Sequence, residues 1–414
     1  MIDNVTECAR CLYNSSHPFG LTFDADGVCS GCRVHEEKDI IDWCQKEKEL
    51  IDELSRYKSK SSTNYDCIIP VTGAGDSFYI VHLAKNVFGM NPLLVHYNNG
   101  WNTSTGIDNL AKLRTVFDCD IITKTISTSS RKKIVRETLY TMGSIYWHSI
   151  AGRTALPVQV AVDYDIPLII WGAHQGLEQV GMVSHDSKIE MSRWYRTSHD
   201  LMGREAESLV KFSNTLTDGD VAPFMYPPQY DIQTKGIKGI YLGNYIRWDP
   251  WAQHKKMVEL YNYKGICMDK TFDPYDHCDC VNYLGIHDFL KQIKVGYGKV
   301  TDQLCREIRH NRIDKKSAKK LRMYYEGSAV QGVDLFLDWL GVPKTSFDFI
   351  LRQLSAEKSN KNNDLYSKNV TFNTKRSFTG SQYINELPEA LVSNCKDEFL
   401  KTKNYIIIGK GEIN

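Results

Sequence analysis

Short apolar runs alternate with longer segments of helical periodicity through the middle of the chain. Four runs have the length and composition of buried strands, at residues 66–71, 92–97, 120–123 and 167–171. Apolar positions recur at helical spacing between them, most clearly at 109–117 and 155–164. Because strands that alternate with helices pair in parallel, this order predicts an α/β fold with a parallel sheet and helices on both faces.

Changes in composition divide the chain into four predicted regions. A cysteine-containing module with a connecting helix, expected at 36–57, occupies residues 1–60. The α/β domain is expected at 61–237, and a mostly helical region that opens with one further strand at 238–354. The remaining residues, 355–414, are rich in Asn, Lys and Ser and form a predicted extension.

The turn after the first predicted strand has the character of a phosphate-binding loop. Residues 72–77 read T-G-A-G-D-S and lead directly into a helix, so free backbone N–H groups should converge where an anion can bind. No Lys follows the glycines, and the three-Gly spacing of a dinucleotide fingerprint is missing. An ordinary strand-to-helix turn capped by Asp76 or Ser77 is the alternative. Ala74 fits the loop only if its φ is negative.

Three loops should face one crevice, because ligands of open parallel sheets bind outside the carboxyl ends of the strands. These loops begin at Thr72, Asn98 and Gly172. Asn99, Gly100 and Trp101 are expected to shape the adenosine end of a nucleotide site.

The phosphate end of this crevice has three further candidates. Gly172 and His174 are expected near the phosphates, although His174 is equally well explained as a histidine hydrogen-bonded at a strand end. Asp76 is a candidate for holding Mg²⁺ through pyrophosphate, because adjacent phosphoryl groups need charge neutralisation to leave.

The first region contains two C-x₂-C pairs separated by seventeen residues. They are Cys8, Cys11, Cys29 and Cys32. Each pair directs two thiolates at one point, and two pairs complete the tetrahedral sulfur set that zinc prefers. The sequence therefore predicts a structural zinc, with an iron–sulfur cluster or unliganded cysteines as alternatives.

Two other clusters are ambiguous. Cys278 and Cys280 form a C-x-C pair, for which packing is favoured over an accessory metal site because only two thiols are present locally. Arg306, Arg309 and Arg312 recur at three-residue spacing and form either a solvated helix face or an anion site.

Charge and hydropathy exclude several classes of protein. The 414 residues carry 51 Lys and Arg against 50 Asp and Glu, so no global field attracts nucleic acid or anionic membrane. No run of eighteen apolar residues and no signal pattern occurs, which predicts a cytoplasmic protein without a membrane span. The twelve cysteines are therefore interpreted as metal ligands and core thiols.

Several segments occur in the order typical of one family. They are the four cysteines of the first region and residues 72–77, 98–101, 171–176, 241–245 and 296–298. On these residues, positions 1–340 resemble the N-acetyl sugar amidotransferases, and among them the pseudaminic acid amidotransferase group, within the PP-loop ATP pyrophosphatases. Residues 72–77 are similar to the S-G-G-x-D-S signature, with Thr at the first position and Ala at the third.

The resemblance implies an adenine nucleotide alpha hydrolase-like (HUP) core that uses ATP and Mg²⁺. It implies conversion of the acetamido group of a bacterial surface sugar to an acetamidino group, in lipopolysaccharide or flagellin glycosylation. The sugar would be a nonulosonic acid such as pseudaminic acid or a nucleotide-linked N-acetyl sugar. No glutaminase signature is present, so ammonia should come from separate glutaminase and channel subunits. A homodimer is compatible with this interpretation.

Candidate residues follow from this chemistry. Those expected to act in catalysis are Asp76, Glu178, Asp186 and His174. Those expected to bind ATP or pyrophosphate are Thr72, Gly73, Ala74, Gly75, Asp76, Ser77, Asn99, Gly100 and Gly172. Those expected to contact the sugar are His185, Glu190, Arg193, Tyr195, Asn244 and Arg247. We expect the acetamido oxygen to attack the α-phosphorus of ATP and ammonia then to displace AMP.

Two other functions remain open. A PP-loop tRNA thiolation enzyme would share the loop and the zinc, but needs a persulfide-bearing Cys and a basic surface. A non-catalytic nucleotide-binding regulator is suggested by Ala74.

Overall fold

The computed structural model describes residues 5–59, 64–359, 405–407 and 411–413. One parallel sheet has the strand order β3-β2-β1-β4-β5. Its strands are β1 (Cys67–Pro70), β2 (Pro92–Asn98), β3 (Ile121–Thr125), β4 (Leu168–Trp171) and β5 (Lys238–Tyr241). A separate antiparallel pair joins β6 (Tyr405–Ile407) and β7 (Gly411–Ile413). The predicted parallel sheet is confirmed.

Helices connect the strands and form most of the rest of the described chain. They are α1 (Ser30–Glu37), α2 (Trp43–Ser55), α3 (Gly75–Val81), α4 (Ser104–Phe117), α5 (Thr128–Met142), α6 (Trp147–Tyr164), α7 (Arg193–Tyr195), α8 (Ala206–Phe212), α9 (Asp218–Val221), α10 (Gln229–Thr234), α11 (Pro250–Tyr261), α12 (Asp288–Val295), α13 (Lys299–Arg309), α14 (Lys315–Glu326), α15 (Val333–Leu340) and α16 (Lys344–Ser359). Short π-helical turns lie at His82–Val87, Gly176–Val180, Arg196–Asp200 and Tyr283–His287, and 3₁₀ turns at Ala222–Phe224 and Leu242–Asn244.

Successive residues of the central strands point to opposite faces of the sheet, as strand geometry requires. Ile69 and Leu94 pack on one face, in a cluster that includes apolar residues of α2, α3 and α4. Ile68 and Leu93 pack on the other face, against α5 and α6. Burial on both faces explains why these strands read as continuous apolar runs.

Element boundaries differ from the predictions where a polar side chain caps a helix. The single helix expected at 36–57 is two helices, because the carboxylate of Asp42 accepts from the N–H of Gln45 and starts α2. Thr103 caps α4 in the same way. β5 belongs to the parallel sheet, so the boundary predicted at 237/238 cuts the sheet.

The cysteine module and the helical C-terminal region share a hydrophobic core. The four clustered cysteines and Tyr13 pack with apolar residues of α13 and α14. A further cluster joins α5 to α12, α15 and α16. The extension predicted from residue 355 begins inside α16 and otherwise lies mainly outside the described residues. Among the described helices, none has the length and apolar character needed to cross a membrane.

We expect Ile69→Ala to lower the free energy of unfolding by about 2–5 kcal/mol, because it removes buried methyl groups from the central strand and leaves a cavity. Ile40→Ala is the matched control, since Ile40 is 86% exposed. Denaturant unfolding of the two variants measures the difference. Equal midpoints would contradict the assignment of Ile69 to the core.

Candidate active site

The 72–77 loop joins the end of β1 to the start of α3 and is braced by its own hydroxyl groups. The N–H of Thr72 donates to Ser77 Oγ at 2.8 Å, and the N–H of Ala74 donates to Thr72 Oγ1 at 3.1 Å. Ala74 has φ −91°, so its side chain causes no backbone strain. Thr at the first position and Ala at the third are thus both compatible with the loop.

Part of the loop's hydrogen-bonding capacity stays open. In the part of the chain that the structure describes, the N–H groups of Gly73, Gly75 and Asp76 have no hydrogen-bond partner. Free N–H groups are therefore found at these three positions and not at Thr72 and Ala74, and their convergence on an anion stays a prediction. Neither Asp76 nor Ser77 caps α3, since Ala74 occupies the cap position and no side-chain cap is formed.

Helix α4 supports the loop from behind. A Cβ at Gly73 would overlap the backbone of Gly106 in the first turn of α4. The amide of Asn109 donates to the Gly73 carbonyl at 3.1 Å and to the Lys264 carbonyl at 2.7 Å. The loop thus lies against backbone on one side and has no room for a side chain at Gly73.

Asp76 is held by a buried histidine. Its Oδ1 lies 2.8 Å from Nε2 of His254, a residue of α11 that is 2% exposed. Burial alone would lower the pKa of His254, but Asp76, Asp273 and Asp276 outweigh burial and raise it. His254 thus orients the Asp76 carboxylate, and the nearby carboxylates favour the charged form of this imidazole.

A polar cavity opens beside this carboxylate. It contains about 680 Å³ of empty space, part of it open to solvent. Its lining comprises His35, Asp76, Gln175, Glu178, Gln179, Trp248, Pro250, Asp276, His277, Lys299, Asp302, Gln303, Arg306 and Arg309. The cavity thus lies where the loops after β1 and β4 meet the cysteine module and α13.

Charged groups of both signs face the cavity. Burial opposes ionisation of Asp276, but His277, Lys299 and Arg306 outweigh burial and lower its pKa. Burial lowers the pKa of His277 to about 4, so this imidazole is neutral near pH 7. Arg306 pairs with buried Asp273 at 3.0 Å. The cations Lys299 and Arg306 suit phosphate oxygens, whereas the carboxylates of Asp76 and Asp276 suit a hard divalent cation.

Glu178, a predicted catalytic residue, is fixed on one oxygen only. It lies in the Gly176–Val180 turn after β4. Its Oε2 pairs with Lys38 at 2.6 Å, and Lys38 also donates to the Trp248 carbonyl at 3.2 Å. Its Oε1 is buried and has no hydrogen-bond partner within the described residues. Glu178 therefore lines the cavity and carries one buried acceptor without a donor.

The four predicted metal ligands converge. The Sγ atoms of Cys8, Cys11, Cys29 and Cys32 all lie within 4.8 Å of one another and are buried. The N–H groups of Cys11 and Cys29 point at Cys8 Sγ, at 3.4 and 3.3 Å. Four converging sulfurs with N–H donors fit a closed tetrahedral zinc site, so the cluster could hold a structural metal.

The cysteine module also shapes the cavity. Ser30 Oγ donates to the Val180 carbonyl at 2.7 Å. Arg309 donates to the Glu178 carbonyl at 2.9 Å and approaches Cys29 Sγ at 3.9 Å. Both contacts hold the Gly176–Val180 turn, so the metal site and Glu178 are mechanically connected.

The other predicted nucleotide residues lie away from this cavity. Asn99 and Gly100 are buried after β2, beneath residues 278–281, which form a β-bridge from Cys280 to Asn102. Gly172 accepts from the N–H of Gly243 at 3.1 Å and packs against Trp248. The expected adenosine contacts of Asn99 and Gly100 stay predictions.

Two further predicted catalytic residues also lie off the cavity lining. His174 is buried among the rings of Tyr195, His199 and Tyr241, and burial lowers its pKa to about 4. Its ring nitrogens have no partner in the described chain. Asp186 is exposed, in a turn where its N–H donates to Ser184 Oγ.

The six predicted sugar contacts hold the segment between β4 and β5 in place. His185 is buried, its N–H donating to Glu37 at 2.7 Å. Glu190 pairs with Lys238, and Arg193 with Glu207. The remaining three also make contacts within the protein: Tyr195 packs edge-to-face with His174 and Trp194, Asn244 binds the Ile189 backbone, and Arg247 binds Lys38 and Asp39. None of the six lines the cavity described above.

Several cavity residues were not predicted as site residues. They are His35, Asp276, His277, Lys299, Asp302 and Gln303, and His254, which contacts the cavity residue Asp76, was not predicted either. The arginine series gave a partial signal: Arg306 and Arg309 line the cavity, whereas Arg312 lies beyond α13 and pairs with Asp249 at 2.7 Å. Cys278 packs beside Tyr263 and the Gly73 carbonyl, in agreement with the favoured packing role.

Comparison with known proteins relates the C-terminal region to surface-sugar biosynthesis. Residues 269–376 match the WbpG-like C-terminal domain of lipopolysaccharide biosynthesis proteins. A stretch of 116 residues is 22% identical to an uncharacterised protein, MJ1599, of Methanocaldococcus jannaschii. It covers 28% of this chain and 41% of that relative, so the chain spans less than half of the relative's length.

We expect Gly73→Ala to weaken ATP binding by about tenfold or more, which corresponds to at least ~1.4 kcal/mol, because the added Cβ overlaps the Gly106 backbone and displaces the loop. Gly219→Ala is the control, since its Cβ would make only an ordinary contact, 3.7 Å from Thr217. Calorimetric titration with ATP measures both. Unchanged affinity in Gly73→Ala would show that the loop does not contact the nucleotide.

We expect metal removal by a chelator, or Cys32→Ser, to lower the unfolding temperature and to speed hydrogen exchange at Gly176–Val180. The reason is that this turn is held by Ser30 of the cysteine module and by Arg309 of α13, which also approaches Cys29. Cys44→Ser is the control, because Cys44 is exposed and outside the cluster. Loss of stability without faster exchange in the turn would contradict the proposed connection.

Proposed function

We propose that this chain is an ATP-dependent amidotransferase that converts the acetamido group of a bacterial surface sugar to an acetamidino group. The observation that supports it most is the cavity lined by Asp76, a residue of the loop with open N–H groups, and by Lys299, Arg306 and Arg309 of α13. That helix lies within the segment matching a lipopolysaccharide-biosynthesis domain. A site for a nucleotide tail is thereby combined with a region related to sugar biosynthesis.

The proposed reaction has two steps. The acetamido oxygen attacks the α-phosphorus of ATP, and the bond to the bridging oxygen breaks to release pyrophosphate. Ammonia then adds to the carbon of the O-adenylyl intermediate, AMP leaves with the former amide oxygen, and a proton is lost from nitrogen. The N–H groups of Gly73, Gly75 and Asp76 would stabilise charge on the departing pyrophosphate, together with Lys299 and Arg306 of the cavity lining.

Asp76 and Asp276 would hold Mg²⁺, since both line the cavity and carboxylate oxygens suit this ion. When bound, the ion would neutralise charge on the phosphates. His254 would keep the Asp76 carboxylate turned toward the cavity. The zinc of the cysteine cluster would stay structural, because four thiolates leave no open position.

Glu178 is our candidate for orienting ammonia and accepting its proton. Its unpaired Oε1 is the support, because a buried acceptor without a donor is costly unless a ligand supplies one. His174 and Asp186 remain weaker candidates, since neither lines this cavity. A nonulosonic acid such as pseudaminic acid, or a nucleotide-linked N-acetyl sugar, is the proposed substrate.

Ammonia would come from separate glutaminase and channel subunits, and the reaction would take place in the cytoplasm. A homodimer also remains a proposal. No nucleic-acid substrate is proposed, in keeping with the net charge of +1.

The alternatives have less support. For tRNA thiolation, burial raises the pKa of Cys278 far above its usual value and that of Cys280 to about 11, which disfavours the reactive thiolate. The case for a non-catalytic regulator rested on Ala74, whose φ is negative and unstrained.

The direct test is pyrophosphate release by the purified chain with ATP, Mg²⁺, ammonium and candidate acetamido sugars, together with the mass of the product sugar. Amidination replaces oxygen by an imino group and lowers the mass, whereas thiolation raises it. We expect Asp76→Asn and Glu178→Gln each to lower the rate by about 100-fold or more. Glu259→Gln, an exposed change, should not.

No pyrophosphate release with any acetamido sugar would overturn the proposed reaction. ATP binding without turnover would instead favour the regulator, and a heavier product the thiolation enzyme.

A further inference from the structure

A buried group of hydrogen-bond donors lies at the carboxyl end of β2, outside the cavity described above. It consists of Trp101 after β2, Arg131 on α5, His148 on α6 and Trp339 on α15. The Trp101 ring lies 4.8 Å from the His148 ring and 6.1 Å from the Trp339 ring. Gly100, with φ +77°, brings its backbone against the Arg131 guanidinium so closely that a Cβ there would overlap it.

Arg131 is a buried cation without an acidic partner in the described chain. It is 1% exposed, and its guanidinium donates from Nη2 to the Ile126 carbonyl at 3.4 Å. Tyr97 is the one titratable group that favours its charge, and burial raises the pKa of Tyr97 and keeps it neutral. Burying an unpaired guanidinium is strongly unfavourable, so a counter-ion is expected.

The unsatisfied atoms of this group are nitrogens that can donate. Trp101 Nε1, Arg131 Nε, His148 Nε2 and Trp339 Nε1 have no partner among the described residues. Tyr97 lies 3.3 Å from His148 Nδ1, and a hydroxyl that donates there leaves the ring proton on Nε2. A water molecule must donate as well as accept, and therefore suits a set of donors poorly. An anion accepts hydrogen bonds without donating any, and therefore suits such a set of donors.

The donor group also lies close to the candidate active site. Residues 276–281 connect the two: Asp276 and His277 line the cavity, and the N–H of Val281 donates to the Trp101 carbonyl at 2.9 Å. His277 and Cys280 can be no more than about 11 Å apart along the chain. The donor group and the cavity are therefore connected by one short segment of the chain.

We propose that Arg131, Trp101, His148 and Trp339 form a second anion-binding site, which holds the acid group of the substrate while its acetamido group enters the cavity. The anion is a carboxylate or phosphate, whose oxygens match the guanidinium fork. The assignment of a sugar as the ligand of this site rests on the proposed function. Trp339 is the partly exposed member of the set, and Lys132 lies 5.3 Å from its ring centre, which marks the entry side.

The test measures binding without ATP or ammonium, so it can succeed even where the proposed reaction fails. The probes are N-acetylneuraminic acid, its methyl ester, UDP-N-acetylglucosamine and inorganic phosphate, at matched ionic strength, followed by thermal unfolding and calorimetry. We expect an upward shift of the unfolding temperature with the sugar acid and none with the ester. A shift with the nucleotide sugar or phosphate instead would assign a phosphate to the site.

Arg131→Met should weaken binding by about 10- to 100-fold and, without ligand, unfold at the same temperature as the wild type or higher. Arg136→Met, on the same helix, is the control and should bind normally. Trp339→Phe keeps a ring, removes one donor and should weaken binding less. The proposal is overturned if none of the probes shifts the wild type, or if Arg131→Met binds as the wild type does.

Discussion

The guanidinium of Arg309 joins three parts of the chain that lie far apart in sequence. It approaches the Cys29 thiolate, donates to the Glu178 carbonyl and lies over the Tyr13 ring. If the cysteine cluster holds a divalent ion, its four thiolates carry excess negative charge that would compensate this buried cation. The metal module, the turn after β4 and α13 are therefore held in one arrangement, and the cavity exists because of it.

The sequence predicted what is local. The strands were visible because they are buried on both faces, and the 72–77 loop because its residue types allow few other conformations. The cysteine cluster was visible because two C-x₂-C pairs have few other uses. In each case the residues that form the motif lie within about thirty positions of one another in the sequence.

The sequence did not predict contacts that depend on how distant segments pack. Asp76 and His254 are 178 positions apart in the sequence, and no motif near either residue indicates that their side chains are in contact. The arginine series was visible on α13, but whether it faced solvent depended on the docking of α13 against the cysteine module. The mixed polar segment before β5 was interpreted as a possible ligand-binding loop. In the structure, Asn244 binds the backbone of this segment and Arg247 binds the backbone of the cysteine module. Contact of these residues with a sugar stays a prediction.

A structure of the full chain with Mg²⁺ and a non-hydrolysable ATP analogue tests the composite site most directly. The account predicts that the β- and γ-phosphates accept from the N–H groups of Gly73, Gly75 and Asp76. It also predicts that Lys299 or Arg306 approaches them across the cavity. Phosphates bound elsewhere, or at the loop without any contact from α13, would contradict it.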